Sequence, residues 1–318
     1  MYHRVTELPN DPNLLAVAPE RFAEQLEVVR KYATPIRLAQ LVEELRQGSV
    51  PKKAVVVTFD DGYVDNLHHA KPLLERYEIP ATFFITTGQL GSQREFWWDE
   101  LDRILLQPGL LPDSFRLCFN GREHEWELGE AAKYTEKEFE RDRGWHIEHR
   151  SDPGPRQRLF RDLYRLMHTL SVHEQRRILN ALRAWAEVDA LGRSMHRTLT
   201  SAQLVQLNHG DLFEIGAHTM NHPILAALPS KEQRDEIEQS KTQLEAILQQ
   251  PVVSFSYPHG SSTTETLSIL EKLGFLCACS SEPEAVIRGT HRLELPRAVV
   301  RDWDREMFTH WLKGWIGG

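Results

Sequence analysis

The chain is poor in cysteine. Its three, Cys118, Cys277 and Cys279, are an odd number at low density. That excludes a disulfide framework and suits a reducing compartment. Cys277 and Cys279 stand two apart in a strand-like run, so both point to one face and read as small core side chains. No basic run is long enough to offset a net charge of −8, which argues against a nucleic-acid binder. No stretch reaches the roughly 18 apolar residues of a transmembrane segment. The opening MYHRVTELPNDPN holds no apolar h-region of a Sec-type signal, so a cytoplasmic location is expected. Internal repeats and low-complexity segments are also missing, which removes the solenoid classes.

The 318 residues are 41% hydrophobic and 26% charged, enough for one large α/β domain or two ordinary ones. Helical spacing is expected over about 19–32, 38–45, 64–77, 202–208, 231–248, 264–273 and 308–315. Short apolar runs at about 54–59, 81–85, 212–218, 252–257, 275–279 and 295–300 read as strands. Strand and helix alternate, which points to a parallel sheet, open or closed. A segment at about 92–196 interrupts the alternation. It is too long for a loop and reads as a helical insertion in a single domain spanning 1–318, with one helix over about 156–185. Its aromatics, Phe96, Trp97, Trp98, Trp126, Trp145 and Trp185, suit either a sugar-binding surface or, as we favour, a packed core.

Three strand ends carry chemistry. In VVVTFDDGY, Val55–Tyr63, two adjacent aspartates follow a buried run, and Gly62 breaks the strand. Two carboxylates placed there repel unless a cation or a shared proton relieves them. HTMNH, His218–His222, ends a second strand with imidazoles at i and i+4. Alone this spacing is weak among 15 histidines; joined to Asp60-Asp61-Gly62 it becomes specific. Two imidazoles and a carboxylate suit zinc or a similar divalent metal. The third strand end, FSYPHG at Phe255–Gly260, is a rigid turn able to aim a backbone N–H at a developing oxyanion.

Taken together, TFDDG at 58–62, HTMNH at 218–222 and SYPHG at 256–260 resemble the polysaccharide deacetylase family, the NodB-homology group of carbohydrate esterase family 4. YHRV at 2–5, the run from Asp61 to Phe84, and LPR at 295–297 extend the likeness over most of the chain outside the insertion. The resemblance implies a distorted (β/α) barrel and a metal-dependent N-deacetylase acting on an acetamido sugar or glycan. It implies Asp60 as general base and Asp61, His218 and His222 as ligands of a divalent metal, most simply Zn2+. It also implies the backbone N–H of His259 as an oxyanion donor. The substrate implied is an acetamido-sugar, nucleotide-sugar, lipid-linked or glycan molecule of polysaccharide biosynthesis or modification.

Two departures stand out. The family's arginine that orients the base falls at Ser256, and Arg297, at the start of a later apolar run, is the expected replacement. The family's Leu-x-His general acid has no clean copy. His291 is the favoured substitute and His3 the other. Asp302-Trp303-Asp304 lies too late to be given the role of the similar family string. These departures leave two other readings open: a catalytically weak, metal-containing carbohydrate-binding protein, and a hydrolase of a different amide or ester.

Overall fold

Five of the six short apolar runs become strands because each is bounded by glycine, proline or polar residues and alternates between helix-facing and interior side chains. The computed structural model describes residues 1–119 and 121–316. These fall into two compact units. The first comprises Met1–Glu7, Leu15–Ser92 and Thr198–Gly318, and the second Leu8–Leu14 and Gln93–Arg197.

The first unit is built on five parallel strands: β1 (Val57–Phe59), β2 (Ala81–Ile85), β3 (Phe213–Ala217), β4 (Ser254–Ser256) and β5 (Cys277–Cys279). They lie in the order β5-β4-β3-β2-β1. Seven helices surround the sheet: α1 (Pro19–Tyr32), α2 (Leu38–Gln47), α3 (Lys71–Arg76), α4 (Ser201–Leu207), α5 (Ser230–Leu248), α6 (Thr264–Lys272) and α7 (Arg305–Ile316). Pro72 sits in the first turn of α3, directly after a π-helical turn over Asn66–Ala70. On the helix side, Tyr2, Phe59, Phe83 and Phe213 form an aromatic row with centroids 4.8–5.7 Å apart. The other side holds Phe84, Cys277 and Cys279, packed with Leu295. Both of these cysteines are free and buried, as small core residues should be.

The sheet curls, and the gap between its edges is spanned by two segments held by single bridges. Tyr2 pairs in parallel with Phe59, and Leu295 with Cys279. The Met1 nitrogen then donates to the Ala298 carbonyl at 2.9 Å, and Val300 N–H donates to the Met1 carbonyl at 3.0 Å. The result is the distorted (β/α) barrel that the resemblance implies, with one loosely tied wall. The apolar run at 295–300 predicts a strand, yet it forms one bridge only. Pro296 has no N–H to give, and Arg297 N–H turns away to the Glu282 carbonyl at 3.0 Å.

The second unit is not wholly helical. Ser114–Phe119 and Arg122–Glu127 form an antiparallel hairpin. The single helix expected over 156–185 is two, Pro155–His168 and Val172–Ala186. Ser171 starts the second by a reciprocal cap with Glu174, a stop-and-start signal that apolar periodicity alone overrides. Phe96, Trp97, Trp98 and Trp145 are buried within this unit. Phe96 stacks on Trp98 at 4.5 Å, and Trp185 meets Phe115 at 5.1 Å, which is the core arrangement. Arg156, 1% exposed, ties the unit together by donating to the carbonyls of Leu105, Gln107, Gly109, Ala131 and Ala132. No helix among the described residues is long and apolar enough to cross a membrane.

Candidate active site

β1 ends at Phe59, and the next two residues carry the carboxylates. In a continued strand their side chains would diverge. Here Asp61 has φ +76, and Gly62 N–H donates back to the Asp60 carbonyl at 3.0 Å, closing a three-residue turn. A non-glycine residue in this region is strained, and such strain persists where surrounding structure over-determines it. Thr86 N–H supplies part of that hold by donating to the Asp61 carbonyl at 3.3 Å.

β3 ends at Ala217, beside β2, and His218 N–H continues the ladder by donating to the Ile85 carbonyl at 3.0 Å. Past it the chain turns through Thr219 and His222, both at φ +61. The turn swings the His222 ring back to 4.9 Å from that of His218. Asp61 Oδ1 lies 3.6 Å from His218 Nε2 and 3.5 Å from His222 Nε2, and the three ligand atoms all lie within 4.8 Å of one another. A tetrahedral ion with bonds of about 2.0–2.1 Å needs donors ~3.3–3.4 Å apart, so the set fits a divalent cation. His218 Nδ1–H donates to the Ser256 carbonyl at 2.8 Å, which leaves Nε2 with its lone pair toward the other two donors. Burial lowers the His218 pKa against the pull of Asp60, so the ring is the neutral species a cation requires.

Asp60 is held differently. Arg297 donates from Nη1 to Oδ1 and from Nη2 to Oδ2, both at 2.8 Å, a two-pronged pair across 237 residues. The same guanidinium donates to Thr58 Oγ1, to Ser256 Oγ at 2.7 Å and to the Ser280 carbonyl. Ser256 Oγ in turn donates to Asp60 Oδ2 at 3.1 Å. The small side chain at 256 thus leaves space for an arginine arriving from the loosely tied wall, and hydrogen-bonds both partners. Burial alone would raise the Asp60 carboxyl. The Arg297 charge, with His218 and the Arg297 hydrogen bonds, outweighs it and holds the group below the usual carboxylate range.

His259 has φ +57 in the turn after β4, and its ring centroid lies 4.6 Å from that of His222. The two acid candidates separate. His291 is half exposed and stands 3.8 Å from Glu294 on the surface, beside Arg292, whose carbonyl accepts from Ala278 in mid-β5. His3 follows Tyr2, which bridges Phe59, so in parallel register His3 is level with Asp60. Since Tyr2 shares the helix-side aromatic row with Phe59, His3 faces the other way, as Asp60 does. Burial lowers the His3 imidazole to about 4; Asp60 opposes the shift, while Arg297 and His218 add to it. His3, rather than the favoured His291, is thus the candidate level with Asp60. The matching alternation of Tyr2-His3 with Phe59-Asp60 was the available signal.

Residues 47–110 and 177–278, just over half of the chain, match the polysaccharide deacetylase family. A Staphylococcus aureus (strain MRSA252) protein named poly-β-1,6-N-acetyl-D-glucosamine N-deacetylase is 21% identical over 303 residues, 95% of this chain and 72% of its own length. The strain MSSA476 protein of that name is 32% identical over 79 residues, 24% of this chain and 27% of its own, so that match spans about a quarter of the relative. The structure of IcaB from Ammonifex degensii superimposes with a TM-score of 0.60 at 18% identity, over 98% of this chain and 94% of that one, a likeness of fold. The extent of the family match, falling on both carboxylate and histidine motifs, makes the chain a member of the polysaccharide deacetylase family, the NodB-homology group of carbohydrate esterase family 4.

Proposed function

We propose that the protein is a metal-dependent N-deacetylase that hydrolyses the acetamido group of an amino sugar within a glycan. The observation that carries this reading is the Asp61–His218–His222 cluster set beside a buried carboxylate paired with Arg297. The names of the staphylococcal relatives support a polymer of N-acetylglucosamine as the substrate class. The donor set favours zinc among divalent ions.

A bound zinc ion would polarise the acetyl carbonyl and acidify water at neutral pH. The chain's own groups supply the rest. Asp60, kept ionised by Arg297, takes a proton from the attacking water. The C–N bond breaks, acetate leaves, and the amine needs a proton. His3 is the proposed donor. It is neutral above about pH 4, so it must first receive a proton. The proton that Asp60 takes from water balances the one the departing amine requires. The His259 N–H is the proposed support for the tetrahedral oxyanion. The sugar-recognition reading drew on the missing arginine at 256 and on the uncertain general acid; the Arg297–Asp60 pair answers the first of these.

Acetate release from N-acetylglucosamine oligomers, a nucleotide-sugar and simple esters tests the reading. Asp60→Asn should keep stoichiometric zinc and lose turnover by at least about 100-fold, as expected for a general base. His3→Ala should do the same less severely, and His291→Ala should match the parent. A zinc-loaded parent that releases acetate from none of the sugars would sink the proposal, and a product other than an amine would move it to the different-amide or ester reading.

A further inference from the structure

The loop that carries His222 is gripped from two sides. Glu236, on α5, accepts Met220 N–H at 3.0 Å and Asn221 N–H at 2.8 Å on Oε2, and Asn221 Nδ2–H at 2.7 Å on Oε1. It sits between Gln233 and Ser240 on the face of α5 that packs inward, both of them buried. From the opposite side, Thr87 N–H donates to the Thr219 carbonyl at 3.1 Å and Gly88 N–H to the Met220 carbonyl at 2.7 Å. A Cβ at residue 88 would lie 2.5 Å from that carbonyl oxygen. Thr219 Oγ1 accepts His222 N–H at 2.9 Å. The Met220 peptides are thus fixed at both N–H and C=O while the residues flanking the pair, Thr219 and His222, are held at φ +61.

We propose that Glu236 is the positioning residue of the metal centre: its carboxylate holds the strained 219–222 turn so that His222 Nε2 faces Asp61 and His218. The inference rests on the metal reading above and goes beyond it, since Glu236 is not among the candidate ligands. The other two ligands have separate supports. His218 is fixed by the end of β3 and by the Ser256 carbonyl, and Asp61 by its own turn and the Thr86 amide. Loss of Glu236 therefore loosens one ligand of three. Asp60 and Arg297 are untouched, because their contacts run through Thr58, Ser256 and Ser280.

The test is zinc affinity of the purified protein, measured against a competing chelator, with cobalt absorption as a second readout. Glu236→Ala should weaken zinc binding about 10- to 100-fold, the usual effect of losing a partner behind a metal ligand. Its cobalt spectrum should move toward that of His222→Ala. Glu236→Gln, which retains one carbonyl acceptor, should recover part of the affinity, and Gly88→Ala should weaken binding from the other side. Parent-like affinity and cobalt spectrum in Glu236→Ala and Gly88→Ala, with His222→Ala impaired, would overturn this inference alone. Parent-like affinity in His222→Ala would overturn the metal reading beneath it.

Discussion

Asp60 and Asp61 are neighbours with opposite environments. One is paired with a guanidinium, and the other points at two imidazoles. Removing the guanidinium should expose that difference. With Arg297 in place the Asp60 carboxyl lies below its ordinary value near 3.8, so its stabilising contribution is full above that value and is lost as pH falls through the lower folded one. In Arg297→Met burial is opposed only by the nearby imidazoles and the Ser256 hydroxyl, and the carboxyl rises. The variant should lose about 3–5 kcal/mol at neutral pH, as for a broken buried ion pair. That deficit should shrink at about pH 3, where the unpaired carboxyl is protonated. Urea unfolding at both pH values checks this, and equal deficits would refute it. The acid limb of kcat/KM should also move to higher pH. The ligand residues were legible because adjacent carboxylates and an i, i+4 histidine pair each stand at a strand end. The turn at Asp61 was not, since nothing in a Phe-Asp-Asp-Gly string states that the second aspartate takes a positive φ. Arg297 was suggested by its charge near a strand; its partner lies 237 residues away, beyond any local pattern.

The secondary elements explain why the interior beneath the site tolerates so little change. β3 carries Gly216, and a Cβ there would lie 2.4 and 2.5 Å from ring atoms of Phe84 on β2 and 2.7 Å from Ser254 Oγ on β4. Phe84 lies under the Arg297 guanidinium, 5.4 Å from ring centroid to Cζ. Gly216→Ala should therefore cost about 1–3 kcal/mol by overpacking. It should also lower kcat more than zinc affinity, because the displaced ring disturbs the partner of Asp60. Thermal melts and chelator competition on the same sample separate the two effects, and a variant weakened only in zinc affinity would refute the coupling. Elements of the barrel unit with clean periodicity, such as α1 and β2, appear with the bounds expected of them. The differences arise where a competing local signal acts: the Ser171 cap that divides one helix into two, and Pro296, which starves a would-be strand of a hydrogen-bond donor.

At the scale of the whole molecule, the ion would join parts of the chain that are far apart in sequence, Asp61 after β1 and the histidines after β3. A ligand that binds only the folded state stabilises it by mass action, about 2.7 kcal/mol at 100 times Kd. Zinc at that excess should raise the melting temperature, a chelator should reverse the rise, and Asp61→Asn should abolish it. A zinc-dependent rise that survives in Asp61→Asn would point to another binding site. The parallel architecture was legible from alternation alone. The closure of the barrel was not, because it depends on Met1, Tyr2 and Leu295–Val300, which meet through a few long-range bonds rather than a ladder. Those same two segments carry His3 and Arg297. The three candidate ligands stand instead at the ends of β1 and β3, the two strands that flank β2 in the five-stranded ladder. On the roles proposed for His3 and Arg297, the fold would keep possession of an ion separate from its employment: fraying of the seam would leave a loaded but idle centre, and re-zipping it would restore the working state without any exchange of metal.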